Sequence, residues 1–500
     1  MMKKIFSFAL LPVLLLSSLS SCVETRVEHG EDWAQTDQEL NTWSAVNYFA
    51  ANCMSVYYLW NEEIDDELSH WLRQEIGTNP FKKVQSLRYK QGGKDYDRWT
   101  EITDSYEEMT SSVGGVSTTY GCDIILMMLD QTRVCAVISV VYADSPASRA
   151  GLKRGDVIVL VNGAQMDKSN YYTLITEGFI SSPSCRLGMM DGREITMSAV
   201  KMYEDPVVYH SIFPIGDKKV GYLVFNAFTL RAIDRLLGVC ESFKAAGVEE
   251  LILDLRYNGG GYVTTEEALA SMLAPESNVR NGDIFQRQIF NKAVSDFYLK
   301  QDKDALNTRF KTKFEWKDGI LPSSCDTRSG HLDLKRIYAI IDSGTASASE
   351  SVLVGLMPYM DIRLIGGQSH GKFCTGVLRS AQEWYDDYKD QMKSELYAYR
   401  KYANDWGLYF MIGRYADRDG NCPAMPDGLK PQYEVEDRPD LGYDFGDERD
   451  PMLRQALILA GRTDLQETAA STRASEPAPV RMPRQIEKAV FGKRILSPVN

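Results

Sequence analysis

Apolar residues recur at helical spacing early in the chain and at strand spacing further on. Tyr57, Leu59, Trp60 and Ile64, then Leu68, Trp71 and Leu72, suit one apolar helix face. Gly77-Thr78-Asn79-Pro80 stops that pattern, and residues 37–112 read as a small helical domain. The segment Ser111-Ser112-Val113-Gly114-Gly115 marks the next boundary, and short β-like runs follow at 124–128 and 134–141. Ser145 then suits a helix N-cap, with Pro146 at the first helical position. Further on, strand-like runs at 220–225, 250–255, 337–341 and 362–365 alternate with helical runs at 232–246, 264–273 and 347–359. That alternation predicts an α/β layer architecture there, within an α+β multidomain chain. Stretches near 280–330 and 383–425 break the rhythm and read as insertions that could border a functional site. The tail 463–500, rich in Ala, Pro, Arg and Ser, is expected to be disordered.

Length and charge narrow the picture. Five hundred residues exceed one hydrophobic core, so about three folded units are expected. A net charge of -13 argues against a nucleic-acid partner, whose phosphates need a basic face. Lys3 and Lys4 precede an apolar run at 5–16 that is too short to span a bilayer, as in a secretory signal. Small residues then lead into Leu19-Ser20-Ser21-Cys22, which resembles a bacterial lipobox. Residues 1–21 would be a lipoprotein signal peptide, Cys22 the lipidated residue and 22–36 a tether, giving a membrane-anchored protein of the cell envelope. The outer membrane, on its periplasmic or surface face, is the expected location. The other eight cysteines show no metal-ligand spacing, so neither a metal nor a cofactor is expected. Export permits disulfides; their pairing stays open, with buried thiols as the alternative.

Two segments carry chemistry. Residues 251–261 form an apolar strand that runs through Asp254-Leu255-Arg256-Tyr257-Asn258 into Gly259-Gly260-Gly261. Such glycines leave backbone N–H groups uncovered, as an oxyanion hole requires, although a glycine triplet is more often only a turn. The second segment, Ile341-Asp342-Ser343-Gly344-Thr345-Ala346-Ser347-Ala348-Ser349-Glu350, is followed by Gly366-Gly367-Gln368-Ser369-His370-Gly371-Lys372. A serine at a strand-to-helix junction sits beside free N–H groups and the positive end of the helix dipole. Without Lys372, helix capping would be the better account of those serines.

Together these segments resemble the tail-specific, or carboxy-terminal-processing, peptidases of the S41 type, with their "LDLR.NGGG" and "G(T/S)ASASE" signatures and a following lysine. Residues 143–163, Ala143-Asp144-Ser145-Pro146-Ala147 through Ala150-Gly151-Leu152 and Gly155-Asp156 to Val161-Asn162-Gly163, resemble a bacterial PDZ domain. Asp97-Arg98-Trp99-Thr100 and Gly428-Leu429-Lys430-Pro431 match further family elements in order. The resemblance implies a helical N-terminal domain at 37–112, a PDZ domain of β-sandwich or barrel type with helices at 113–202, and a crotonase-like core at 203–462. It implies a serine peptidase with Ser347 as nucleophile and, 25 residues later, Lys372 as general base. Backbone N–H groups of Gly259 or Gly260 and of Ala348 would form the oxyanion hole. Ser343, Ser349 and Ser351 are the competing serines.

A lysine takes a proton only when neutral, and its free pKa is about 10.4. Reaching about 7 means destabilising the ammonium by roughly 4 kcal/mol, which burial can supply. Lys372 is therefore expected in a pocket with no carboxylate at contact distance. Many relatives carry Gln four residues after the lysine to orient it; Gly376 stands there, so the orienting partner is open. His370 is expected to be a packed or exposed histidine, and Asp254 and Glu350 structural or capping residues. The expected partners are protein or peptide substrates, recognised near their C-termini, with Tyr120 and Gly121 in the loop holding the carboxylate. The alternatives are a catalytically silent PDZ lipoprotein that binds peptides and a crotonase-like acyl-CoA enzyme. Retention of both Ser347 and Lys372 counts against the first, and export away from the CoA pool against the second.

Overall fold

The computed structural model describes residues 32–318, 321–468 and 494–495. The signal segment 1–21, Cys22 and most of the tail therefore lie outside the described residues. Among the described residues, no helix is long and apolar enough to cross a membrane.

Helix α1 (Asp37–Tyr57) starts at a capping box: Thr36 Oγ1 accepts from Glu39 N, and the Glu39 carboxylate accepts from Thr36 N. Helices α2 (Asp65–Gln74) and α3 (Pro80–Ser86) pack beside it, and a short strand β1 (Glu101–Thr103) follows. These elements share one apolar core with residues far downstream, Trp384, Tyr385 and Leu408 among them. The N-terminal region is thus continuous with the rest of the molecule, not a domain with its own core. Short amphipathic helices need a second layer to cover their apolar stripe, and a downstream sheet provides it.

The next unit is an antiparallel sheet of β2 (Cys122–Met128), β3 (Val134–Val141), β4 (Val157–Val161), β5 (Ser184–Met189) and β6 (Glu194–Ser198), in spatial order β6-β5-β4-β3-β2. Helix α4 (Tyr171–Ile175), extended by a π-turn at Thr176–Ile180, closes one side. Ser145 Oγ caps the short helix Pro146–Arg149 by accepting from Ser148 N.

The core begins with β7 (Val207–Ile215), β8 (Lys218–Phe225), α5 (Ala232–Ala246), β9 (Glu250–Asp254), β10 (Gly261–Tyr262) and α6 (Val263–Leu273). It continues with β11 (Ile284–Phe290), β12 (Asn307–Arg309), β13 (Arg336–Ile341), α7 (Ala348–Leu356), β14 (Asp361–Gly366) and β15 (Cys374–Ser380). Last come β16 (Gly407–Ala416), β17 (Tyr433–Glu434), α8 (Pro451–Ala460) and β18 (Arg494–Ile495). One sheet has the order β7-β8-β9-β13-β14-β17, parallel beyond its first pair. Helices α5, α6 and α7 cover one face of it and α8 the other. A second sheet runs β10-β18-β15-β16-β11-β12, with β1 on β16. Both stretches read as insertions thus supply strands to this second sheet, which also carries the N-terminal helices.

A buried ion cluster holds the small sheet domain against the core. Arg256 pairs with Asp254, Asp437 and Asp450 at 2.7 to 3.1 Å. Arg154, from the β3–β4 turn, reaches Asp437 at 3.4 Å and donates to Tyr257 Oη at 2.9 Å. Removing one member would leave an uncompensated buried charge, which costs about 3–5 kcal/mol.

Candidate active site

The apolar strand β13 ends in the turn Asp342-Ser343-Gly344-Thr345, and α7 begins three residues later at Ala348. Thr345 Oγ1 donates to Leu255 O (2.8 Å) and Ala346 N to Asn258 O (3.0 Å), tying this loop to the glycine loop. At the junction Ser347 adopts φ 64°, ψ -114°, a left-handed conformation that a residue with a Cβ rarely takes. Its side chain is fully buried, and its Oγ has no hydrogen-bond partner among the described residues. A strained, desolvated hydroxyl at a helix N-terminus suits a nucleophile better than a cap.

The competing serines are committed elsewhere or exposed. Ser349 Oγ donates to Asn258 O at 2.9 Å and Ser351 Oγ to Glu266 Oε1 at 2.6 Å, while Ser343 is exposed.

Asn258 shapes the glycine loop. Its Nδ2 donates to Phe225 O and its Oδ1 accepts from Gly260 N at 2.9 Å. The Gly260 N–H is therefore taken, which removes it from the expected oxyanion donors. Gly260 contributes by lacking a side chain: at φ 104°, a Cβ there would lie 2.7 Å from Ser347 Cβ and 3.0 Å from Ala348 N. Ala348 opens α7, so its N–H has no partner a turn earlier within the helix. The buried Gly259 N–H meets no acceptor among the described residues. Gly259 and Ala348 thus keep main-chain N–H groups with no acceptor among the described residues.

Lys372 lies in the loop between β14 and β15 and is fully buried. Its Nζ donates to Tyr409 Oη at 2.9 Å and lies 5.1 Å from the Trp99 ring centroid and 4.9 Å from that of Tyr409. Asp97 seats Trp99: its Oδ1 accepts from Trp99 N and Thr100 N, both at 2.9 Å, and its Oδ2 from Tyr58 Oη at 2.7 Å. The Asp-Arg-Trp-Thr motif therefore builds a wall of the lysine pocket. No hydrogen bond joins Ser347 Oγ to Lys372 Nζ here; such contacts often close only in the substrate complex.

Glu350 organises both halves. Its buried carboxylate accepts from Ser347 N (3.0 Å), Lys372 N (2.8 Å), Gly371 N (2.7 Å) and Ser369 Oγ. Burial is the largest influence and leaves its pKa raised, although these four donors oppose it. His370 packs against Trp99, with ring centroids 6.1 Å apart. Burial, then the charges of Arg98 and Lys372, lower its pKa to about 4, so it is neutral at ordinary pH.

A groove of about 1160 Å³ runs from Ile124, Phe179 and Ile180 of the small sheet domain to Gly259, Gly260 and His370. Tyr120 stacks on Phe179 at 5.1 Å and donates to Ser182 O, while Gly121 N donates to Thr119 Oγ1. The Gly121 N–H is thus not offered to a ligand in this conformation, because the neighbouring threonine hydroxyl takes it. The tail also departs from expectation. Asp464–Thr468 is helical, and strand β18 pairs with both Gly261-Tyr262 and Gly376. Composition could not show that two open strand edges beside the site would give this segment partners. The eight described cysteines form no disulfide with one another.

Comparison with known proteins identifies two domains. Residues 219–435 match the model of peptidase family S41, and residues 137–175 match a PDZ domain. The chain carries a peptidase S41 domain. It is a serine-type peptidase with a PDZ domain, so its substrates are proteins or peptides. A CtpA-like serine protease of Staphylococcus epidermidis is 20% identical over 391 residues, 76% of this chain and 67% of that protein. A counterpart in Staphylococcus aureus strain N315 is 24% identical over 242 residues, 48% of this chain and 42% of its own length. A crystal structure of an S41 protease from Bacteroides fragilis shares the fold, with a TM-score of 0.59, 21% identity, and 83% of this chain and 97% of that one covered.

Trp99 and Tyr409 contact Lys372, and sequence reasoning assigned neither of them to the site. Trp99 lay inside a recognised motif; Tyr409 carried no local signal.

Proposed function

We propose that this peptidase cleaves extended polypeptides through an acyl-enzyme, with Ser347 as nucleophile and Lys372 as general base. The observation that carries this reading is the Ser347 junction, where an unpartnered hydroxyl in a left-handed turn sits against Gly260 and the first N–H of α7. Neutral Lys372 takes the Ser347 proton as Oγ attacks the scissile carbonyl. Gly259 and Ala348 N–H groups hold the oxyanion, and the lysine then protonates the leaving amine. Water activated by the same amine releases the acyl group. Burial disfavours the lysine ammonium, while the Trp99 and Tyr409 rings favour it. The groove leading from the PDZ unit supports recognition near a substrate's C-terminus. A lipid on Cys22 would keep the enzyme on the envelope, and the lipobox-like sequence supports that placement.

The test uses protein from residue 23 onward, as wild type, Ser347→Ala and Lys372→Ala, given an unfolded protein and peptides with free or amidated C-termini. Loss of cleavage in both variants and preference for free carboxylates are expected; cleavage surviving either substitution contradicts the dyad. For the anchor, Cys22→Ser should move the full chain from the membrane to the soluble fraction, and unchanged fractionation contradicts it.

A further inference from the structure

We infer that Tyr409 is the positioning residue of the general base, its hydroxyl fixing Lys372 Nζ in a place that glycine at position 376 keeps open. The inference rests on the reading of Lys372 as the base. Three observations carry it. First, Lys372 Nζ donates to Tyr409 Oη at 2.9 Å, and both side chains are fully buried, so little water competes for that bond. Second, β15 and β16 pair antiparallel, with Gly376 opposite Met411 and Leu378 opposite Tyr409. A Cβ on Gly376 would lie 2.5 Å from Tyr409 Cζ, 2.6 Å from its Cε2 and 2.7 Å from Met411 Cε. The ring thus fills the volume that any side chain at 376 would need. Third, the amine sits between two rings, Trp99 and Tyr409, and rings attract an ammonium without fixing its direction. Among these contacts the hydroxyl is the directional one.

A flexible four-carbon side chain loses catalytic efficiency when its amine is displaced by about 1 Å, a cost on the order of a hundred-fold. The phenol oxygen accepts from the amine and so favours its charged form. Losing it has two consequences that mere loosening of the fold does not combine: a lower maximal rate and an amine that deprotonates at lower pH.

The experiment is steady-state kinetics of Tyr409→Phe between pH 5.5 and 10 on a peptide that the wild type cleaves, with Ser347→Ala as the inactive control. The expected result is a kcat lowered about ten- to a hundred-fold, a KM within two-fold of wild type, and an acid limb of the kcat profile moved to lower pH. Wild-type kcat, or a fall in kcat with an unmoved acid limb, would overturn the inference. A second comparison removes the ring and supplies the oxygen from the neighbouring strand, as Tyr409→Ala with Gly376→Gln. Its kcat should exceed that of Tyr409→Ala alone at least ten-fold, and equal values would count against Tyr409 as an oxygen donor to the site. Activity persisting in Ser347→Ala or Lys372→Ala would instead mark failure of the underlying dyad.

Discussion

Ser347 and Lys372 donate their main-chain N–H groups to one and the same oxygen, Oε2 of Glu350, at 3.0 and 2.8 Å. The turn of the proposed nucleophile and the loop of the proposed base lie 25 residues apart in the chain, and a single buried carboxylate ties them together. The other oxygen, Oε1, binds Gly371 N and Ser369 Oγ, so the whole lysine loop hangs on this side chain.

Glu350→Gln should therefore damage activity and stability together. An amide nitrogen cannot accept from an N–H, so part of the clamp faces donor against donor. The expected loss is about a hundred-fold in kcat with about 1–3 kcal/mol of stability, read by steady-state kinetics and urea unfolding. Wild-type kcat in a folded Glu350→Gln protein would show that the clamp does not set the geometry.

Gly260→Ala tests the glycine loop. The backbone there is left-handed at φ 104°, and the added methyl would lie 2.7 Å from Ser347 Cβ. Pushing the loop away from the serine opens the oxyanion site, for which about 10²–10³ in kcat is at stake. Peptide binding at the PDZ end of the groove should survive, measured as the affinity of a fluorescent peptide with a free C-terminus.

The two residues of the proposed dyad stood out in sequence because small residues crowd around the serine for a physical reason. Ala346, Ala348 and Gly260 leave room for a strained serine, and Lys372 follows at a fixed interval after the next strand. The strand-helix alternation of the core was legible for the same kind of reason, since apolar runs such as 250–254 are buried on both faces. What was not legible is contact between distant segments. Tyr409 meets Lys372 across a strand pair in a stretch read as an insertion, and its only trace was the glycine at 376. Likewise Asn258 Oδ1 takes the Gly260 N–H, and glycine spacing cannot say which N–H stays open. The shared core between α1 and the second sheet was hidden because periodicity shows an apolar face but not what covers it.

His370 gives the enzyme an acid-side stability limit. Its folded pKa is lowered from 6.5 to about 4, first by burial and then by Arg98 and Lys372. Between those values the unfolded chain binds the proton that the folded protein refuses, so stability falls as pH drops through that window. Above 6.5 the residue is neutral in both states and adds no pH dependence. His370→Phe should flatten the melting temperature between pH 6.5 and about 4, measured by calorimetry; an unchanged slope would assign the acid limit to other groups.

The tail strand takes backbone edges next to Gly260, and it is expected to compete there with an extended substrate. Arg494 and Ile495 pair with Gly261 and Tyr262, and Ile495 also with Gly376, in the slot beside Gly260 and Lys372. Ile495→Pro in the full chain removes a backbone donor from that strand. KM for an extended peptide should fall several-fold while kcat changes little. A KM equal to that of wild type would mean the segment does not compete with substrate.

The most direct test of the account is the covalent intermediate itself. Wild type, Ser347→Ala and Lys372→Ala would be mixed with a peptidyl p-nitrophenyl ester, quenched in acid within seconds, and examined by intact mass and peptide mapping. The expected result is one acyl group on Ser347 in the wild type, none in Ser347→Ala, and slow accumulation in Lys372→Ala that recovers as pH rises. An acyl group on another residue, or one that persists in Ser347→Ala, would contradict the assignment of Ser347 as the nucleophile.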